Sequence, residues 1–431
     1  MTKGPLKPDN AIVDVLLRSD RTRDYLKRMV RLWVGLARNR TIEIPEMPEH
    51  LKHLFLRSEE YTNDHRDQWG TWEHTFSLNY QEGKLWTPEV DCWVSCVRNE
   101  LVQKGERLEP PWPDGRDFAL CLTHDVDAIS DETTLVQKLR EARKHLFQAR
   151  DVGQRELLAR AANAARPTAG SVFRKSYGHP STENTIEKIL GIEKRFGVTS
   201  SFFFVAYPLR KYSQYDCLYA LGDPCTFLNR NMPVSQMMRE MAREGFDIGL
   251  HGSYYSATDA AMLKEQKVMI EDAVGVEIVT TRQHWLNWDV RTTPRVQAAA
   301  GLLADSTLGF NRNVGFRGGV SLPYYCFDLL NETMIPVLEV PLIIHDGPLT
   351  GSDALEYDIS LAKDVTKRLI DRVAAARGCV TVSFHPHSFL DELYEDLYTW
   401  LIEYCLERNG WVVSLKAVCE WWRKRERVLE A

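Results

Sequence analysis

A chain of 431 residues is long enough for one large domain with extensions or for two domains, with a substantial buried core. Hydrophobic residues make up 44% and charged residues 26%, and a net charge of -6 offers no global attraction to nucleic acid or anionic membrane, so neither is expected as a partner. Residues 1–10 lack the apolar core of a signal peptide and nowhere do about 18 apolar residues run together, so a cytoplasmic protein without membrane insertion is expected.

In chain order, residues 1–115 read as an N-terminal, mainly helical subdomain. A helical stretch runs from Ile12 to Ala37, a segment carrying Trp69, Trp72, Trp86 and Trp93 follows, and Glu109 to Gly115 forms a stiff, proline-rich connector. A strand from Phe118 to Leu122 comes next, then a polar helical insertion over 131–180. Between 131 and 166 it holds eight Lys/Arg against five Asp/Glu, which suits a solvated face or a surface for an anionic substrate. From about 182 onward helices and strands alternate: helix Thr185 to Phe196, strand Ser200 to Ala206, helix Val234 to Glu244, and strand Phe246 to Leu250. Helices Ala260 to Val274, Ser360 to Ala376 and Asp391 to Arg408 each carry one apolar stripe, and Trp411 to Leu415 reads as a last strand. Such alternation predicts parallel strands. Residues 207–232 and 309–335 read as loop-rich excursions whose aromatic and Asn content suits a binding rim or ordinary loops. The nine cysteines are scattered, with no CxxC pair, which fits reduced thiols.

Chemistry concentrates where strands end. The first strand runs into His124-Asp125-Val126-Asp127, two carboxylates two residues apart. Like charges that close ionise together only with a cation between them; otherwise one stays protonated, or the pair merely caps a following helix. His251 ends a second apolar strand, His385-Pro386-His387 ends a third (Cys379 to Phe384), and Thr280 to Trp285 brings Arg282 and His284 together. Asp, His and Arg gathered at separate strand ends are how an α/β barrel builds a catalytic mouth.

In that order the motifs resemble the polysaccharide deacetylases of carbohydrate esterase family four, and more closely a bacterial branch whose first motif reads THDVD. The resemblance covers roughly residues 116–425. It implies a distorted (β/α) barrel of about seven strands with an N-terminal, mainly helical extension. It further implies a divalent metal, typically zinc, and removal of an N-acetyl group from an amino sugar. Carried over by position, Asp125 matches the general base, Asp127 and His251 match metal ligands, and Arg282 matches the arginine holding the base. Asp305 matches the acid that steers the catalytic histidine, and His385 matches that histidine. Tyr255 stands where the family has its second metal histidine, which makes His284 the expected replacement, with His124 and His387 behind it. Tyr255, Trp285 and His387 are expected at the substrate; Pro386, Trp285 and Trp288 suit a sugar-stacking rim, with a core role the alternative for either tryptophan. The first motif is one residue longer than usual, so either Val126 bulges out or the roles of the two Asp residues are less cleanly separated, and Asp305 lacks the tryptophan that usually follows it. The expected activity is metal-dependent removal of an acyl group from an amino sugar or sugar-containing precursor, a small molecule or glycan. A metal-free cyclic-amide hydrolase of the same fold, or a degenerate module that binds glycans or a partner, remains the alternative.

Overall fold

Strand β1 (Phe118–Val126) sorts its side chains by size into two faces. Phe118, Leu120, Leu122 and Val126 point one way, and Ala119, Cys121, Thr123 and Asp125 the other. The large residues join an apolar cluster with Ile186, Leu369, Leu397 and Leu401 of covering helices. The small ones, with Phe203, Ala304 and Cys379, face inward. Strands β2 (Ser201–Phe204), β5 (Asp247–Gly252) and β11 (Cys379–Ser383) repeat the division, with Phe202, Phe204, Ile248, Leu250, Val380 and Val382 in the outer cluster. A sheet whose inner face carries mostly small residues can curl tightly, which a flat sheet under bulky side chains cannot.

In the computed structural model, which describes residues 10–67, 69–129, 182–206, 215–217, 219–350 and 355–431, these strands form a barrel. The insertion expected over 131–180 lies outside the described residues. The main sheet runs β10-β11-β1-β2-β5-β6-β7-β9-β8, completed by β6 (Thr280–Gln283), β7 (Ala304–Asp305), β8 (Tyr324–Asp328), β9 (Thr333–Glu339) and β10 (Leu342–His345). Only β8 runs antiparallel to its neighbour, β9. β12 (Gly410–Val413) pairs with the first half of β1 and β2 with its second half. A separate hairpin joins β3 (Pro224–Phe227) to β4 (Arg230–Pro233).

The order closes on itself because β9 and β10 are one bent strand interrupted only by Val340 and Pro341. Its first part pairs with β7 and its last with β11, while Leu342 donates its N–H to the carbonyl of Leu308, and Ile343 accepts one from Gly315. The ring β1, β2, β5, β6, β7, β9/β10, β11 agrees with the expected distorted barrel. Arg282 of β6 reaches Thr123 and Asp125 of β1 past β2 and β5, a reach that only a curled sheet permits.

The expected helix over 12–37 is two helices, Asn10–Leu17 and Asp20–Val34. Ser19 separates them because its hydroxyl accepts the N–H of Thr22 as an N-cap, and Gly35 ends the second at φ 78°. These helices pack on the barrel, with the Tyr25 hydroxyl donating to the Tyr325 carbonyl at 2.7 Å and Trp33 Nε1 to that of Pro323 at 2.9 Å. The excursion over 309–335 was expected as loop, yet it contains β8 and leads into β9. Its strand character was hidden by polar Asp328, Asn331 and Glu332 at the β8–β9 turn. Among the described residues no helix is long and apolar enough to cross a membrane.

Candidate active site

A cavity of about 410 Å³ opens where β1, β5, β6, β10 and β11 end, lined among others by Asp125, Asp127, His251, His284, His345 and His385. Asp125 is the last inward residue of β1, and Val126 stays paired with Phe204 in regular register, so the bulge does not form. Arg282 Nη1 donates to Asp125 Oδ1 at 2.9 Å and to Thr123 Oγ1 at 2.7 Å, while its Nε and Nη2 are taken by the carbonyl and hydroxyl of Ser306. Every donor edge of this buried guanidinium is thereby directed. Burial alone would raise the Asp125 carboxyl, but the Arg282 charge, helped by His251 and His385, brings it below the ordinary aspartate value.

Asp127, one residue past the strand, meets two histidines. His251 Nε2 lies 3.3 Å and His284 Nδ1 3.5 Å from Asp127 Oδ1, and the two ring nitrogens lie 2.9 Å apart. The opposite nitrogens touch backbone carbonyls: His251 Nδ1 that of Arg282 at 2.9 Å, and His284 Nε2 that of Tyr215 at 2.7 Å. A carbonyl oxygen only accepts, so those nitrogens carry the protons and the facing pair present lone pairs to one another. Two lone pairs and a carboxylate cannot satisfy each other; they need a cation. Donors about 2.0–2.1 Å from a tetrahedral zinc ion sit roughly 3.3 Å apart, which this triangle matches, and carbonyl-held histidines are the usual support of such ligands. The residues therefore fit a divalent metal. The Cys217 thiol, 3.6 Å from Asp127 Oδ1, is a further donor within reach.

On the other side of Asp127 stands His385, its Nε2 3.6 Å from Asp127 Oδ2. Its Nδ1–H donates to Asp346 Oδ1 at 2.8 Å, and its backbone N–H donates to Asp346 Oδ2 at 2.8 Å, an oxygen that also accepts from the Ser388 hydroxyl. Burial opposes the charge on this imidazole, but the Asp346, Asp127 and Asp125 carboxylates outweigh it and raise the pKa to about 10. The site thus holds a carboxylate kept ionised and an imidazole kept cationic on either side of a metal-competent triangle. One can take a proton and the other can give one.

Two expectations are corrected. Asp305 does not steer His385: at the end of β7 it accepts the Thr307 hydroxyl and neighbours Glu339, and Asp346 fills the steering position. Tyr255 lies outside the cavity lining, 54% exposed, with its ring against Tyr254. Trp285 and His387 are among the residues lining the cavity. Trp288 is buried beneath the guanidinium groups of Arg57 and Arg317. His124 is a core residue, bonded to the Phe384 carbonyl, Glu193 and Tyr398. Sequence reading missed His345 and Asp346, although Leu342-Ile343-Ile344-His345-Asp346 repeats the signature of an apolar strand ending in polar residues. Burial drives the pKa of His345 down to about 4, so it stays neutral beside cationic His385, and among the described residues neither ring nitrogen has a hydrogen-bond partner. Trp69, from the N-terminal segment, was missed because no local signal ties it to a site lined by residues from 125 onward.

The chain matches no protein-family model and none of the curated proteins. Among solved structures it is similar to a candidate polysaccharide deacetylase from Mycobacterium smegmatis, at 18% identity and TM-score 0.47 over 73% of this chain and 93% of that one. It is also similar to the allantoinase PuuE, at 15% identity and TM-score 0.45 over 75% and 96%. The Xyl-CE4 domain of a multidomain xylanase from the hindgut metagenome of Trinervitermes trinervoides is similar at 11% identity and TM-score 0.32 over 70% and 90%. The chemistry of the cavity rests on its own geometry.

Proposed function

We propose that this protein is a metal-dependent amide hydrolase that removes an acyl group, an N-acetyl group in the first instance, from an amino sugar or a sugar-containing precursor. The observation that carries the reading is the triangle of Asp127, His251 and His284, whose lone pairs face one another, set between Asp125 and His385. A divalent metal held by these three residues, zinc by donor type, supplies Lewis-acid polarisation of the acyl carbonyl and makes water easier to deprotonate. Asp125, kept anionic by Arg282, takes the proton of the attacking water. Arg282 fixes that carboxylate through its bonds to Thr123 and Ser306. His385, kept cationic by Asp346, delivers a proton to the leaving nitrogen, without which an amide does not release an amine. Trp69 and Trp285 line the cavity together with His345 and His387, which suits a substrate with one apolar ring face and several hydroxyls.

Protein purified without chelator is expected to contain close to one equivalent of zinc, nickel, cobalt or iron by elemental analysis, lost in Asp127→Ala and in His251→Ala. Acetate release from a panel of N-acetylated amino sugars and nucleotide sugars is expected to fall by about 10²–10⁴ in Asp125→Asn while the metal stays bound. Metal-free protein with an intact fold would defeat the reading, and full activity in Asp125→Asn would remove the base from that residue.

A further inference from the structure

We propose that Asp67 and the residues Trp69, Gly70, Thr71 and Trp72 of the N-terminal segment form a latch that positions His284 as a metal ligand; the proposal rests on the reading of Asp127, His251 and His284 as the metal-binding set. His284 is followed by two consecutive non-glycine residues in the left-handed region, Trp285 at φ 60° and Leu286 at φ 50°. Backbone of this kind persists only where the surroundings hold it. Part of what holds it comes from more than two hundred positions earlier in the chain. The Thr71 hydroxyl lies 2.7 Å from the Trp285 carbonyl and 3.1 Å from that of Leu286. Asn311 Nδ2 ties the same Trp285 carbonyl, at 2.9 Å, to Thr71 Oγ1 at 2.9 Å and to Asp67 Oδ2 at 3.1 Å. The Trp69 ring stacks on the Trp285 ring at 5.3 Å and 6°, with the Arg312 guanidinium 5.1 Å from the Trp69 centroid.

The latch is itself stiff. Asp67 Oδ1 accepts the N–H groups of Trp69 and Thr71, each at 2.9 Å. Gly70 has φ 79°, and a Cβ there would come within 2.6 Å of the Tyr254 hydroxyl. The link to the metal set is a shared acceptor. The Tyr215 carbonyl receives both Trp285 Nε1, at 2.9 Å, and His284 Nε2, at 2.7 Å, so the bond that leaves His284 Nδ1 unprotonated and aimed at Asp127 depends on where Trp285 sits. A turn before β1 thereby sets the orientation of a ligand after β6, and Trp69, Thr71 and Asn311 are positioning residues.

The test is zinc affinity of the metal-stripped full-length protein, by competition with a chromophoric chelator, together with the visible absorption of the cobalt-substituted form. Trp69→Ala and Thr71→Val are expected to weaken zinc binding about ten- to hundredfold, with an altered cobalt spectrum and a thermal midpoint close to wild type. Trp69→Phe is expected to restore most of the affinity. In a His284→Ala background, adding Trp69→Ala is expected to cost no further affinity, because the latch acts through that histidine. An equal loss in both backgrounds, or unchanged affinity in both latch variants, overturns the proposal. Wild-type protein that takes up no zinc overturns the metal reading itself, and the latch with it.

Discussion

His385 owes its charge first to Asp346, with Asp127 and Asp125 adding to it, and that pairing ties the acid of the site to protein stability. In the metal-free protein the folded-state pKa of about 10 lies above the ordinary histidine value of 6.5, so the fold holds this proton more tightly than the unfolded chain does. The resulting stabilisation is complete below about 6.5 and is lost as pH rises through about 10. Asp346, whose carboxyl is pushed below its usual 3.8, contributes in full above that value and progressively less as pH falls below it. Both terms are in force together between about 4 and 6.5. Asp346→Asn is therefore expected to destabilise the metal-free protein by roughly 3–5 kcal/mol at pH 6, with the deficit shrinking toward pH 11, measured by urea denaturation across the range. A deficit independent of pH would mean that Asp346 acts only through its bonds to the His385 N–H and Ser388. The same substitution should reduce hydrolysis at neutral pH, since an imidazole left neutral cannot give up a proton.

At the scale of the strand, the site depends on a residue that contributes no side chain. Gly249 lies inward on β5, and a Cβ there would come within 2.5 Å of the Phe203 ring and 2.7 Å of Thr280 Oγ1. Phe203 fills the barrel beneath the Arg282 guanidinium, 5.0 Å from its centroid. Gly249→Ala is expected to cost about 1–3 kcal/mol by overpacking and to lower activity more than that loss explains, because the displaced Phe203 ring packs against Arg282, which holds Asp125. Thermal melts beside acetate-release rates separate the two effects. This interior also explains what could be read in advance. Alternating small and large residues in β1, β5 and β11 place Asp125, His251 and His385 at inward or terminal positions, and the length of an apolar run marks where each strand ends. Asp346 escaped because Leu342–His345 is short and sits behind Pro341, where a proline argues against a strand interior. Here it marks the bend between two halves of one strand. Asp305 misled for the opposite reason: its position in the chain fits the steering acid, while its burial beside Glu339 raises its pKa and removes it from the cavity.

At the scale of the molecule, the N-terminal segment is bound to the barrel by a charge pair that neither part can leave unpaired. Glu60, from the helix Ser58–Thr62, accepts both Nε and Nη2 of Arg317 at 2.8 and 2.7 Å, and each side chain is 1% exposed. Arg317 also lies 5.4 Å from the Trp288 ring and donates to the Gly309 carbonyl, so its position fixes the loop that leads from β7 along β10 and closes the barrel. Two buried charges add little net stability when paired, because desolvation offsets most of their attraction, but removing one leaves the other unsolvated and unneutralised. Glu60→Gln alone is expected to cost about 3–5 kcal/mol. Arg317→Met added to it is expected to return part of that loss, since the stranded cation is gone and the methionine can pack on Trp288. Chemical denaturation of the two variants makes the comparison. A double variant less stable than Glu60→Gln would show that Arg317 serves the loop more than it serves Glu60. Recovery would mean that the pair fixes how the N-terminal segment meets the barrel, and hence where Trp69 and Thr71 stand relative to His284.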